Sequence, residues 1–204
     1  MILYDSIGPN PRVVRMFAAE KRIELEYRRI DIVAGENRRP EFLAKDTAGT
    51  TPLLELPDGT YIGETVAICE YLDEMSDPPS LLGAGPADRA RVRMWTRRID
   101  LNFCSPLVTA FRASEGRSMF EARMRVVSEA AARDLKTIAS GYQAQLEARL
   151  TQSAYVAAEY FTLADIVLFC FVEFGAVVGQ PLLPDMSRLY RWRDAVRARP
   201  SASA

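Results

Sequence analysis

Residues 51–75, which read TPLLELPDGTYIGETVAICEYLDEM, decide the fold of this chain. The apolar run at 52–56 and the β-forming pair Tyr61 and Ile62 predict two short strands. Between them lies PDG, a turn sequence whose glycine can take a positive φ. A helix is predicted from residue 64 onward, because apolar residues recur every three or four positions: Ile68, Tyr71, Leu72 and Met75. The stretch therefore predicts a hairpin that leads directly into a helix.

The pair Glu64 and Thr65 at this helix start has two interpretations. Thr65 could cap the helix by accepting hydrogen bonds from its first backbone N–H groups, while Glu64 complements the helix dipole. Alternatively, those N–H groups could stay free to bind the carboxylate of a ligand. The pair by itself leaves both interpretations open.

The composition excludes several classes of site and partner. The chain has 204 residues, with 26 Lys and Arg against 27 Asp and Glu, and its formal charge of −1 does not suggest a nucleic-acid partner. The absence of histidine excludes histidine-based triads, dyads and zinc sites. No apolar run is long enough to cross a membrane, and the first residues lack a signal-peptide pattern. We therefore expect a cytosolic protein with no membrane partner and no metal.

The cysteines are expected to be reduced and buried. Cys69, Cys104 and Cys170 are far apart and lie in apolar helical segments. An odd number at such spacings does not suggest a disulfide framework. Free cysteine in an apolar segment behaves as a small hydrophobic residue, so no catalytic role is predicted for these thiols.

The order of predicted elements indicates two domains. Residues 2–4 and 27–32 predict strands on either side of a helix from about 12 to 22, so these strands should be parallel. A short irregular helix and loop at 35–49 complete the order β-α-β-α-β-β-α. We predict an N-terminal domain at 1–75, a linker rich in Pro, Gly and Ser at 76–86, and an all-helical domain at 87–204.

The second domain should contain several long helices. One covers about 87–112, with a kink expected at Ser105 and Pro106. A stripe of apolar residues between Phe120 and Leu150 predicts one helix whose stripe is core. Thr162 and Asp165 form a capping box before a very apolar central helix, and a last helix at about 184–198 ends before Pro200.

The composite at 51–72 resembles the glutathione-binding half of the glutathione S-transferase family. Its parts are the Pro-led strand, the DG turn, the second strand, the acidic-hydroxyl pair and AICEYL, which fits the helix signature AIxxYL. The resemblance implies a thioredoxin-like N-terminal domain and a helical-bundle C-terminal domain. It also implies a cis peptide between Thr51 and Pro52, which with Leu53 meet the cysteinyl part of glutathione. Glu64 and Thr65 would hold the γ-glutamyl end; the family usually has Ser where this chain has Thr65.

The residue that activates the glutathione thiol should lie in the first loop, DSIGPNPRVVR. Asn10 and Ser6 are the candidates, because a carboxamide N–H or a hydroxyl can donate to sulfur. A purely turn-forming role for Asn10 between two prolines is the alternative. Tyr4 is not favoured, and the loop has no Cys, which argues against the thiol-transfer chemistry of the Cys-bearing classes.

Several further contacts are implied by position. Arg38 or Arg39 could pair with the glycine carboxylate of glutathione, or belong to a solvated loop. The loop at 46–49 departs from the family's usual Asn-Pro-x-Gly, and Asp100 is a candidate to reach the glutathione of a partner subunit. A second substrate would lie between the domains against residues that could equally be helix packing: Phe103, Val108, Phe111 and Arg112.

The resemblance thus predicts a cytosolic, homodimeric glutathione S-transferase. It would bind glutathione as a co-substrate, stabilise its thiolate and transfer it to a small hydrophobic electrophile. Two alternatives stay open: a glutathione-dependent peroxidase, and a non-catalytic glutathione-binding or regulatory protein of the same fold.

Overall fold

A computed structural model describes residues 1–204, which form two compact units. Unit 1 comprises residues 1–81 together with 200–204, and unit 2 comprises residues 82–199. None of the helices is both long and apolar enough to span a membrane.

Unit 1 is built on a four-stranded mixed sheet. Its strands are β1 (Ile2–Asp5), β2 (Glu26–Arg29), β3 (Leu53–Glu55) and β4 (Tyr61–Gly63), in the order β2-β1-β3-β4. β1 and β2 are parallel as predicted, and the other two pairs are antiparallel. The helices are α1 (Pro9–Lys21), α2 (Pro40–Leu43) and α3 (Thr65–Glu74). This is the predicted thioredoxin-like arrangement.

The two central strands bury side chains on both faces of the sheet. Leu3 lies opposite Leu54, and both side chains are fully buried. Because neighbouring side chains alternate between faces, Tyr4 and Leu53 point the other way, where they pack with Phe42. The edge strand β2 is exposed along its length. β1 and β3 therefore have buried side chains on both faces of the sheet.

Unit 2 is entirely helical, as predicted. Its helices are α4 (Pro86–Ile99), α5 (Ser105–Ala113), α6 (Arg117–Phe120), α7 (Glu129–Arg149), α8 (Leu163–Val177) and α9 (Ser187–Arg197). The interruption expected at Ser105 and Pro106 is a π-helical turn, Asp100–Cys104, that joins α4 to α5. Pro106 has no N–H to donate to the carbonyl of Asn102 in this turn, which accounts for the lost α-helical bond.

The prediction of one helix through residues 120–150 is wrong. The chain between α6 and α7 is irregular, and α7 starts where the Ser128 side chain accepts a hydrogen bond from the Ala131 N–H at 3.2 Å. Serine competes for backbone N–H groups and so starts a helix more readily than it continues one. The stripe is also not uniformly core, since Met124 is 39% and Ile138 52% exposed.

The predicted capping box begins the central helix α8. Asp165 accepts from the backbone N–H and the hydroxyl of Thr162, and the Thr162 carbonyl accepts from the Asp165 N–H. Most residues of α8 are buried, as its continuous apolar sequence requires.

Candidate functional site

The first loop runs into α1 three residues earlier than the sequence suggested. Gly8 precedes the helix with φ +118°, and Pro9, Asn10 and Pro11 form its first turn. Proline suits this position because its φ is already helical and a first-turn N–H has no intrahelical acceptor. Of these three residues only Asn10 has a backbone N–H. Asn10 is therefore part of a helix N-terminus and not of a turn.

The second part of the site is the loop before β3. The peptide between Thr51 and Pro52 is cis, as the resemblance implied, and Leu53 begins β3 opposite Tyr4. The Thr51 and Ser6 hydroxyl oxygens are 2.6 Å apart. Ser6 is 1% exposed, and its hydroxyl also lies 3.1 Å from the Ile7 carbonyl, so its one hydrogen goes either to that carbonyl or to Thr51. Ser6 is thus committed to holding the first loop against the loop before β3.

The third part is the start of α3, where no side chain caps the helix. The first helical acceptor is the Glu64 carbonyl, which receives the Ile68 N–H at 3.0 Å, so the preceding three N–H groups have no helical acceptor. The capping interpretation of Thr65 is therefore wrong. Glu64 is exposed and has φ +66°, a rare conformation for a non-glycine residue that costs about 1–3 kcal/mol and is concentrated at functional sites.

A single side-chain contact joins the two helix starts. The hydroxyl of Thr65 donates to Oδ1 of Asn10 at 3.3 Å, across 55 positions of sequence. The structure therefore brings Asn10 and Thr65 together, and separately brings Ser6 and Thr51 together. Neither contact has a signal in the sequence, because both depend on how the two loops approach each other.

The two arginines considered for the glycine carboxylate differ in their contacts. Arg38 donates to the Ala48 carbonyl at 3.1 Å, whereas Arg39 lies 3.5 Å from Glu36 and its side chain is 58% exposed. The loop between them and β3 is shaped by Asp46, which accepts from the N–H groups of Ala48 and Thr50. Both arginines are exposed, and a role for either one in binding the glycine carboxylate stays a prediction.

Tyr4 lies on the face of the sheet that packs against Phe42. Its hydroxyl donates to Glu55 at 2.5 Å and accepts from Arg28 at 3.3 Å. Burial and the Glu55 carboxylate both raise the pKa of Tyr4. Its ring packs edge-on against Phe42, with centroids 6.0 Å apart. These contacts hold the Tyr4 hydroxyl and ring within unit 1, and Tyr4 is still not favoured as the donor to the thiol.

The remaining predicted residues lie in unit 2 or in the core. Cys69, Cys104 and Cys170 are free thiols and buried, as expected. Asp100 pairs with Arg97 at 2.6 Å. The four residues considered for the second substrate lie on the π-helical turn and α5: Phe103 is buried, whereas Val108, Phe111 and Arg112 are partly exposed. A role for these four side chains in substrate binding stays a prediction.

Comparison with known proteins gives matches along nearly the whole chain. Residues 7–75 match the N-terminal domain of glutathione S-transferases, and residues 106–200 match the C-terminal domain. Glutathione S-transferase 2 of Saccharomyces cerevisiae is 33% identical over 204 residues, which cover 98% of this chain and 87% of that protein. The crystal structure of a glutathione S-transferase domain-containing protein from Marinobacter aquaeolei has a TM-score of 0.93 and 33% identity, and the match covers 98% of this chain and 99% of that one. Elongation factor 1-gamma of Schizosaccharomyces pombe is 27% identical over 95% of this chain and 46% of its own length.

Proposed function

Because the chain belongs to the glutathione S-transferase family and is a glutathione transferase, we propose that Asn10 is the residue that activates the thiol. In this proposal unit 1 binds reduced glutathione, and Asn10 stabilises its thiolate for transfer to a small hydrophobic electrophile. The observation that carries the proposal is the contact between Asn10 and Thr65. It places a carboxamide donor at the N-terminus of one helix beside the uncapped N-terminus of another.

The glutamyl end of glutathione fits the start of α3. A carboxylate there would accept from the backbone N–H groups of Thr65, Val66 and Ala67 and would be favoured by the helix dipole. The exposed carboxylate of Glu64 is available for the α-ammonium group. Thr51, Pro52 and Leu53 would meet the cysteinyl backbone, and Arg39 the glycine carboxylate.

The thiol end fits the start of α1. A thiol with a pKa of about 8.5 is only about 3% thiolate at pH 7, and lowering that pKa by about two units requires about 2.7 kcal/mol. One hydrogen bond to a charged group supplies about 1.5–3 kcal/mol. Asn10 offers a backbone N–H and the Nδ2 group, and the α1 dipole favours a negative charge at the same place. This donor set favours Asn10 over Ser6, whose hydroxyl hydrogen is already used.

The test is a calorimetric titration with glutathione, combined with the ultraviolet absorbance of the bound thiolate as a function of pH. We expect Asn10→Ala to raise the pKa of the bound thiol by about one to two units, because one bond to the thiolate is lost. Ser6→Ala should leave that pKa unchanged, and Glu64→Ala should weaken binding. An unshifted pKa in Asn10→Ala would contradict the assignment, and a shift in Ser6→Ala alone would move it to Ser6.

The second substrate is tested separately. With chlorodinitrobenzene the thiolate displaces chloride and forms a thioether, whereas with a hydroperoxide two glutathione molecules are oxidised to the disulfide while the peroxide becomes an alcohol and water. We propose conjugation as the main activity, and a larger kcat/KM with cumene hydroperoxide would contradict it. We also propose that the enzyme is a cytosolic homodimer, to be checked by sedimentation and by fractionation of cells.

A further inference from the structure

The α2 segment, residues 36–50, is closed by contacts between its two ends. Asn37 Nδ2 donates to the Gly49 carbonyl at 2.7 Å, and Arg38 donates to the Ala48 carbonyl at 3.1 Å. The ends approach so closely that a Cβ at Gly49 would lie 2.8 Å from the Asn37 carbonyl oxygen. Because its ends are joined in this way, the α2 segment should move against the sheet as one piece.

Phe42 and Lys45 attach the α2 segment to the sheet. Phe42 is 5% exposed and packs with Tyr4 and Leu53. Lys45, which follows α2, donates from Nζ to the Tyr61 hydroxyl on β4 at 2.8 Å. The same Nζ lies 4.9 Å from the centre of the Tyr61 ring and 5.5 Å from the centre of the Tyr4 ring. The ammonium group therefore contacts aromatic rings from the inner strand β1 and the edge strand β4.

The surroundings of Lys45 favour a cation. A tyrosine ring attracts an ammonium group that lies within about 6 Å of its centre. The Glu55 carboxylate, which accepts from the Tyr4 hydroxyl at 2.5 Å, adds a negative charge to the same group of side chains. The hydrogen bond with Tyr61 raises the pKa of Lys45 although burial opposes the shift, so the ammonium group stays charged at neutral pH. Methionine at this position would keep the apolar stem but lose the hydrogen bond and the attraction to the rings.

We propose that Lys45 is a positioning residue for the glycine end of glutathione, an inference that rests on the proposed function. The α2 segment carries Arg38 and Arg39, the two cations available for the glycine carboxylate. β4 leads directly to Glu64 and the start of α3, where the glutamyl end would bind. By joining the α2 segment to β4, Lys45 fixes the spacing between the two ends of the site. A site held at this spacing before glutathione arrives has less to order on binding, which increases the affinity.

The experiment compares glutathione with γ-glutamylcysteine, which lacks the glycine residue. In calorimetric titrations we expect Lys45→Met to raise Kd for glutathione by about threefold to tenfold, which is within the range for one lost hydrogen bond. Kd for γ-glutamylcysteine should change less than about twofold, because the glycine carboxylate is missing from it. The pKa of the bound thiol should stay at its native value. Lys136→Met, which removes a cation paired with Glu115 in unit 2, is the matched control and should change neither Kd.

Tyr61→Phe tests the connection to β4. The substitution removes the acceptor of the Lys45 hydrogen bond but keeps the ring, so it should raise Kd for glutathione by about twofold to fivefold and leave γ-glutamylcysteine nearly unaffected. In a Lys45→Met background it should have no further effect, because the hydrogen bond is already lost. If Lys45→Met weakens glutathione binding and Tyr61→Phe does not, Lys45 touches the ligand itself and the positioning role is overturned.

The two ligands also separate this role from a general loss of structure. An equal loss of affinity for both thiols in Lys45→Met would mean that the substitution disturbs unit 1 as a whole, and no loss for either would mean that the α2 segment is held without Lys45. Both results would overturn the positioning role and leave the proposed function standing. If the native protein binds neither thiol, the proposed function fails and the positioning role fails with it.

Discussion

At the scale of single residues, Asp165 of unit 2 is a buried carboxylate that accepts from four donors. It is fully buried and accepts from the Val156 N–H at 2.9 Å, the Trp192 Nε1–H at 3.0 Å, and both the N–H and the hydroxyl of Thr162. Burial raises the pKa of Asp165, and the four donors act against that shift. The sequence predicted the capping box, but not that the same carboxylate also holds Val156 and Trp192.

Asp165→Asn should therefore destabilise unit 2 strongly. The amide NH₂ cannot accept, so at least one buried donor loses its partner, and we expect a loss of about 3 kcal/mol in the free energy of unfolding. Urea denaturation followed by circular dichroism measures it. Asp134→Asn, at an exposed position of α7, is the matched control and should change stability very little. A loss below about 1 kcal/mol in Asp165→Asn would show that the side chain rearranges to keep its partners.

At the scale of elements, the start of α9 is capped by another helix. α9 has no capping side chain of its own, and the Glu147 carboxylate on α7 accepts from the Arg188 N–H at 2.9 Å and from the Leu189 N–H at 2.9 Å. Burial acts to raise the pKa of Glu147, but these N–H groups and the Arg188 guanidinium together hold the pKa below its usual value. The carboxylate therefore links α7 to α9, and it also supplies hydrogen-bond acceptors for two backbone N–H groups at the start of α9.

This cap predicts a pH-dependent effect of Glu147→Gln. The substitution should cost about 1–2 kcal/mol at neutral pH, since a charged cap at a helix N-terminus is lost. Because the folded pKa lies below the unfolded value of about 4.3, the native contribution is present above that value and is lost as the pH falls through the folded pKa. Thermal unfolding from neutral to acidic pH should show the two proteins converging. A gap that persists in acid, or an equal gap for the exposed Glu159→Gln, would argue against the cap.

At the scale of the whole molecule, the chain leaves unit 1 after Leu81 and returns to it at Pro200. The returning segment is held on α1. Arg12 donates to the Ala202 carbonyl at 3.0 Å, and Ser201 donates to Glu20. Ser201 and Ala202 are both buried. The last residues therefore support the helix whose first turn carries Asn10.

Removal of residues 201–204 should loosen α1. Two hydrogen bonds and a buried contact are lost. We therefore expect the free energy of local opening of α1, obtained from amide hydrogen exchange, to fall by about 2 kcal/mol. Hydrogen exchange followed by mass spectrometry would locate the change. Removal of Ala204 alone is the control, because that residue is exposed. Unchanged exchange in α1 would mean that the returning segment contributes no stability there.

The sequence alone determined the order of elements in unit 1, the helical character of unit 2 and the capping box, because periodicity, turn residues and caps act over a few neighbouring positions. The resemblance at 51–72 predicted the family and the cis peptide before Pro52. The local pattern failed at residues 120–128, because the apolar periodicity continues through the segment although α7 begins only after the Ser128 cap.

Tertiary structure alone decided that the Thr65 hydroxyl forms a hydrogen bond with Asn10 and not with its own helix, and that the Ser6 hydroxyl forms one with Thr51. The physical reason is that these partners are 55 and 45 positions apart, and only the packing of the two central strands and their helices brings them within hydrogen-bonding distance.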